Sequence, residues 1–309
     1  MLGLNSSLMT SGPIPFSPDD IDNLIGWFDF TDVSTMFQDH SGNKSNPMSS
    51  ATGSPIIGHI VNKSKLSTKI CEYLEGTNTG PNWNIAGKYL DSDGNNDDVM
   101  RARSTATALA ANDGGVASND LSTAVVNYEA LGVFIVMDPD VADPSNPYDH
   151  YFDLDGQEVS GLTNTNSSIS LRHEGGGSGT GTFRFQVTGN TFTGFTVATP
   201  FGTYASKQLV SVVTGSGTNA SDIYINGSSQ VSFTSVDVDV RYDQDPFSGA
   251  DIQRDYVSVN GSIKPNGGLI NTGTCVDGKI YEVLLYNKAL TSDEIETIHN
   301  HLISKHNIT

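Results

Sequence analysis

Apolar positions along this chain come in short runs divided by Gly, Asn and Asp, which is the pattern of strands and tight turns and not of long helices. Gly132-Val133-Phe134-Ile135-Val136-Met137 is continuously apolar, so it predicts a strand buried on both faces. Further strands are expected at Trp27–Phe30, Tyr151–Leu154, Ile169–Arg172, Phe183–Val187, Gln208–Thr214, Ile223–Asn226, Val231–Thr234, Val236–Val240 and Ile280–Tyr286. Several of these alternate apolar with polar, as half-buried strands do. Asn226-Gly227, set between two of them, predicts a type I′ hairpin, because both central positions must accept positive φ. The glycine-rich stretch from Gly175 to Gly181 lacks the Lys-Ser/Thr of a phosphate loop and leads into an alternating segment, so it predicts a hairpin tip.

Helical periodicity is confined to the two ends. Ser17-Pro18-Asp19-Asp20 offers a cap, a proline in the first turn and two acids, with Ile21, Leu24 and Ile25 at helical spacing behind it, so a short helix is expected before Trp27. Near the C-terminus Thr291 and Glu294 form a capping box, Leu290 and Ile295 a staple, and Ile295, Ile298, Leu302 and Ile303 one apolar stripe. His299, His301 and His306 lie on this helix at spacings of two and five. They do not form a one-turn metal pair and read as solvated or capping residues.

Repeated short strands with glycine turns argue for an all-β antiparallel sandwich, with residues 1–16 an arm and 17–309 one domain. Of 309 residues, 35 are Asp or Glu and 16 Lys or Arg, a net charge of −19 that disfavours nucleic acid and anionic lipid as partners. No run approaches the apolar length of a membrane span, and Met1–Phe16 lacks the basic and apolar regions of a secretory signal. Cys71 and Cys275 are too few for a disulfide framework and read as two buried thiols, with pairing left open.

Four stretches, in order, resemble the concanavalin A-like (laminin G-like) superfamily. Ser17-Pro18-Asp19-Asp20-Ile21 leading to Leu24-Ile25-Gly26-Trp27-Phe28-Asp29 is similar to that family's Ser/Thr-Pro-x-Asp-Ile opening and its Leu-x-x-Trp-x-Asp strand. Tyr89-Leu90-Asp91-Ser92-Asp93-Gly94-Asn95-Asn96-Asp97-Asp98-Val99 resembles Phe-Asp-Gly-x-Asp-Asp-Tyr-Val with one residue inserted. Ile223-Tyr224-Ile225-Asn226-Gly227 resembles Leu-Tyr-Val-Asp-Gly. Gly278 to Glu294 resembles Gly-x-Ile-x-Glu-Val-x-x-Tyr-Asn-Arg-Ala-Leu-Ser-x-x-Glu. The resemblance implies a jelly-roll sandwich with a short N-terminal and a C-terminal helix, in which about 42–85, 100–127 and 236–276 are inserted loops. The opening Met1-Leu2-Gly3-Leu4-Asn5-Ser6-Ser7-Leu8 also resembles structural proteins of tailed bacteriophages that carry this domain.

Candidate chemistry is sparse. The superfamily's glucanases carry Glu-x-Asp-x-Glu along one strand, and no such spacing occurs; the nearest are Glu294-Ile295-Glu296 on the predicted helix and the pairs Asp153/Asp155 and Asp237/Asp239. No catalytic residue and no organic cofactor is therefore expected. Asp91, Asp93, Asn95 and Asp97 supply hard oxygens for calcium, although glycine stands fourth instead of sixth and Ala102 twelfth, against the EF-hand pattern. Asp149, Tyr151, Asp153 and Asp155 share one face of a candidate strand and could hold an ion or a sugar hydroxyl. Two functions follow as expectations. One is a non-enzymatic structural or decoration protein of a phage virion, on capsid or tail, partnered by virion proteins and by copies of itself. The alternative is a carbohydrate-binding adhesin, with Trp83 and Tyr242 stacking on cell-surface glycans; a glycoside hydrolase is the remote third.

Overall fold

The computed structural model describes residues 16–40, 43–66, 71–76, 80–93, 98–103, 130–139, 148–158, 168–174, 182–187, 193–197, 206–215, 221–233, 252–261 and 277–309. In chain order the strands are β1 (Leu24–Asp29), β2 (Met36–Phe37), β3 (His59–Val61), β4 (Tyr73–Glu75), β5 (Asn82–Asn84), β6 (Tyr89–Asp93), β7 (Met100–Arg103), β8 (Gly132–Pro139) and β9 (Tyr148–Glu158). They continue with β10 (Ser168–Glu174), β11 (Thr182–Val187), β12 (Thr193–Val197), β13 (Gln208–Val213), β14 (Ser221–Ile225), β15 (Ser228–Phe233), β16 (Ile252–Val259) and β17 (Asp277–Tyr286), and helix α1 (Ser292–His306) closes the chain.

Two antiparallel sheets result. The first runs β15-β14-β13-β8-β17-β6-β5, with β1 also on β17; the second runs β12-β11-β10-β9-β16-β7-β4-β3-β2. One core fills the space between them, where Phe28, Ile135, Val283 and Leu285 of the first sheet meet Ile60, Leu74, Phe152, Leu171 and Phe185 of the second. A second core lies on the outer face of the first sheet, where Phe134, Val136, Leu209, Leu284 and Tyr286 pack under Ile298 and Leu302 of α1. Residues 132–137 are continuously apolar for this reason: Val133, Ile135 and Met137 face the other sheet, while Phe134 and Val136 face the helix.

The first helix expected from the sequence shrinks to a single 3₁₀ turn at Pro18–Asp20, with the Ser17 amide donating to Asp20 Oδ2 at 2.7 Å. Asn23 takes a left-handed conformation, and the chain is extended from Leu24 onward, so Leu24 and Ile25 alternate between the two cores instead of sharing a helical face. The segments expected as inserted loops also carry sheet: 42–85 contains β3, β4 and β5, 100–127 opens with β7, and 236–276 contains β16 in the middle of the second sheet. Residues 236–240 lie outside the described residues.

The turn at Asn226 and Gly227 has φ of 50° and 78°, as a type I′ hairpin requires. β10 and β11 pair from Glu174↔Thr182 to Ile169↔Val187, closing a hairpin around the glycine-rich stretch, whose residues lie outside those described. Helix α1 is capped as read: Thr291 N donates to Glu294 Oε2 at 2.9 Å, Glu294 N donates back to Thr291 Oγ1 at 3.3 Å, and Asn307 ends it in the left-handed region. No helix among the described residues is long and apolar enough to cross a membrane.

Candidate ligand-binding face and the buried polar clusters

Acidic residues of the first and fourth motifs, Asp29 and Glu282, converge on a structural clamp. In β17 the register steps from Ile280↔Met137 to Glu282↔Val136, a bulge that turns both Tyr281 and Glu282 toward the helix side of the sheet. There Glu282, with a side chain 0% exposed, accepts from Trp27 Nε1 (2.8 Å), Lys305 Nζ (2.7 Å) and His306 Nε2 (2.7 Å). Lys305 also donates to Asp29 Oδ2 at 2.7 Å, and Lys63 bridges Asp29 (3.1 Å) to Asp32 (2.8 Å) while lying 4.4 Å from the Trp27 ring centre. Burial would raise the Asp29 carboxyl, but the charge and hydrogen bond of Lys305, the Thr31 hydroxyl and Lys63 outweigh it and hold it at about 2. Two buried carboxylates that share an ammonium cannot act as a nucleophile and acid pair; they lock α1 to β1 and β17.

A serine and a histidine also meet, Ser211 Oγ to His299 Nε2 at 2.8 Å, beneath α1. Both residues are sealed from solvent, and the imidazole sits edge-on to Phe134 and Tyr224. Burial pushes the His299 pKa down to about 4, so the ring is neutral and works as a packing and hydrogen-bonding group. His299 and His306 are therefore buried anchors, against the expectation of solvated or capping residues. His301 stands edge-on to Phe16 at the rim of an open groove of about 490 Å³ on the outer side of α1.

Two of the four calcium candidates fall among the described residues. Asp91 and Asp93 lie on β6, opposite Lys279 and Asp277, while Asn95 and Asp97 lie outside the described residues. The buried member of the stretch is Asp98, whose Oδ2 accepts from Ser92 Oγ and Asp93 N, each at 2.9 Å, closing the turn. Desolvation raises the Asp98 carboxyl to about 7 against those two bonds. Among the described residues no group of three or more His, Cys, Asp or Glu has the spacing to hold a metal ion.

The second sheet has one face against the core, and its other pleat is polar. One register line crosses all nine strands: Phe37, His59, Glu75, Arg101, Ser258, Asp153, Ser170, Gln186 and Gly194. At its β2 end, His59 stacks on Phe37 at 4.8 Å and meets Tyr73 at 5.2 Å, and its Nδ1 bonds the Asp39 carbonyl at 2.6 Å. From Glu75 to Gln186 six consecutive strands contribute a polar residue to the line. The next line on the same pleat is His150, Arg172, Arg184 and Thr196. Arg101 and Arg103 flank Ala102, which pairs with the core residue Leu74, so four of the six arginines of this acidic chain occupy this pleat.

Trp83 falls away as a glycan-stacking residue. Trp83 is buried, and its indole donates to the Phe30 carbonyl at 3.0 Å, so it offers no stacking surface; Tyr242, Asp237 and Asp239 lie outside the described residues. The face expected for Asp149, Tyr151, Asp153 and Asp155 is broken by a bulge between Leu171 and Arg172, at which Tyr151 joins Phe152 in the core. Cys71 is buried and Cys275 lies outside the described residues. The arginine line escaped the sequence reading because its members come from separate strands. The glycine-rich hairpin was its signal, since a closure at Glu174↔Thr182 sets Arg172 against Arg184.

Neither a protein-family model nor a curated protein matches the sequence. Solved structures do match. The ligand-binding domain of botulinum neurotoxin serotype D, in complex with N-acetylneuraminic acid, aligns over 91% of this chain and 52% of its own at 12% identity, with a TM-score of 0.53. The CBM40 domain of the Ruminococcus gnavus IT-sialidase, bound to α2,3 sialyllactose, aligns over 60% of this chain and 91% of its own at 11% identity and a TM-score of 0.43. The NanB sialidase of Streptococcus pneumoniae aligns over 58% of this chain at 17% identity and a TM-score of 0.42, and this chain spans only 25% of it. The likeness to the toxin domain establishes a lectin-like β-sandwich.

Proposed function

We propose that this chain is a carbohydrate-binding module that holds glycans on the outer pleat of its second sheet and does not cleave them. The observation that carries the reading is the polar line from Glu75 to Gln186 across six adjacent strands, with four arginines on the same pleat. The register sets residue types that can hydrogen-bond sugar hydroxyls side by side on one sheet, with Ser258 in the line buried and its hydroxyl donating to the Gly261 carbonyl. On the first sheet α1 covers the part built from Phe134, Val136, Leu209 and Leu284. The absent glucanase spacing, the lysine-bridged pair Asp29 and Glu282 and the sealed Ser211 and His299 support binding over hydrolysis.

The phage resemblance of the opening residues supports a virion as the setting, with the module on capsid or tail aiding adhesion beside virion partners and copies of itself. The glycan reading is tested on a glycan array, with and without calcium: retention of at least one saccharide class is expected, and an array without a hit refutes it. A polysaccharide-release assay should yield no product. Co-sedimentation with virions tests the setting, and a stable monomer that never associates with capsid or tail refutes it.

A further inference from the structure

We infer that the part of the first sheet beside the C-terminal end of α1 is a binding site for a neutral oligosaccharide, separate from the pleat of the second sheet. One register line crosses four neighbouring strands there: Asn82 of β5, Asp91 of β6, Lys279 of β17 and Asp138 of β8. Their chain neighbours Trp83, Leu90, Ile280 and Met137 belong to the core between the sheets. Alternation therefore puts all four on the opposite, outer pleat, where each is half-buried. With strands about 4.8 Å apart the line is about 14 Å long, more than one sugar ring spans. It carries an amide, two carboxylates and an ammonium, groups that donate to and accept from sugar hydroxyls.

Half-buried Tyr89, two residues from Asp91 on the same pleat, adds an aromatic surface. Its ring lies 5.4 Å from that of Tyr281, and the Lys279 ammonium stands 5.6 Å from its centre. On the turn side Gly87 packs so closely that a Cβ there would fall 2.0 Å from Tyr89 Cε1, so the ring is held in place before any ligand arrives. A tyrosine has an apolar body and a polar tip, which suit the apolar face and the hydroxyls of a sugar. Charge selects the ligand. Lys279 donates to Asp138 Oδ2 at 3.0 Å, while Lys207 lies 4.0 Å over the Tyr281 ring and donates to the His306 carbonyl at 3.3 Å, so both ammonium groups are engaged. Two carboxylates against one ammonium along the line repel an acidic sugar and favour a neutral one.

Calorimetry on the full chain with cellotetraose, mannotetraose, maltotetraose and tetragalacturonate tests the site. At least one of the three neutral tetrasaccharides is expected to bind, and the acidic one at least about tenfold more weakly. The neutral affinity should hold between about 0.05 and 0.5 M salt, because the ligand carries no charge to screen. Tyr89→Ala should weaken binding about tenfold, the loss of a stacked aromatic, whereas Tyr89→Phe keeps the ring and should stay within about threefold. Gly87→Ala removes no binding group, yet its methyl displaces the Tyr89 ring and should act like Tyr89→Ala. Asp91→Asn is independent of the ring and should weaken binding about two- to tenfold, so it serves if a ring variant fails to fold; melting temperatures report the fold. Variants that bind as the wild type, equal binding of tetragalacturonate, or an affinity that falls with salt would overturn this inference and leave the glycan reading of the second sheet standing. A panel without binding also overturns it, and the wider array then decides the glycan reading alone.

Discussion

Replacing Lys305 by methionine isolates the charge that holds the C-terminal helix to the sheet, because methionine keeps the length and helical tendency of lysine. In the native protein this ammonium lies 2.7 Å from both Asp29 Oδ2 and Glu282 Oε2, whose side chains are 4% and 0% exposed. Without it two buried carboxylates lose the ammonium they share, and unit charges about 4 Å apart interact by ~4 kcal/mol at an effective dielectric of ~20. Lys63 still reaches Asp29, and His306 still reaches Glu282, so the loss is partial. Removing one partner of a buried pair costs ~3–5 kcal/mol in general, and we expect that range for Lys305→Met at pH 7. The Asp29 carboxyl is depressed from 3.8 to about 2 in the folded state, so its contribution of ~2 kcal/mol is complete above pH 4 and lost as pH falls toward 2. Urea denaturation of both proteins between pH 2 and 8 should therefore give stability curves that converge in acid. A difference below ~1 kcal/mol at pH 7, or one that ignores pH, would refute the clamp.

Other perturbations probe the remaining clusters. The Asp98 carboxyl is raised to about 7, so the folded state holds a proton the unfolded chain releases near pH 4, and stability drains as pH rises from about 4 to 7; Asp98→Asn should gain ~2–4 kcal/mol at pH 8 and almost nothing at pH 4, by urea denaturation. His299 is depressed to about 4, so the native protein should lose ~3 kcal/mol as pH falls from 6.5 to 4, and His299→Gln should flatten that leg of the curve. Phe134→Ala empties a site shared by the sheet and α1 and should cost ~3–5 kcal/mol in the same assay. At Gly227, with φ of 78°, valine should cost ~1–2 kcal/mol or more, read as a lowered melting temperature.

The long elements were legible in sequence because they repeat their period often enough: β8, β13, β17 and α1 lie where the apolar pattern put them. β3, β4 and β5 have three residues each, too few to display alternation, and β16 was hidden by the polar triplet Gln253-Arg254-Asp255. The motif letters Trp27, Asp29 and Glu282 were readable as a resemblance, but their task was not, since Lys305 and His306 reach them from the far end of the chain. His299 and His306 looked solvated when spaced only against each other; spaced against Leu302 they fall on one stripe, three and four residues away. Trp83, flanked by Asn82 and Asn84, reads as exposed until the Phe30 carbonyl is seen above its indole.

Strand β17 also dictates the order in which this chain can assemble. It sits between β8 on one edge and β6 followed by β1 on the other, and its register sets Leu24 against Tyr286. During synthesis β1 has no edge to join until residues 277–286 have left the ribosome, and the first sheet stays split meanwhile. Closing loops of that span before any reward makes folding slow and leaves strand edges open to other chains. Truncation inside β17 should therefore yield aggregates, whereas cuts after Ile308 should be silent.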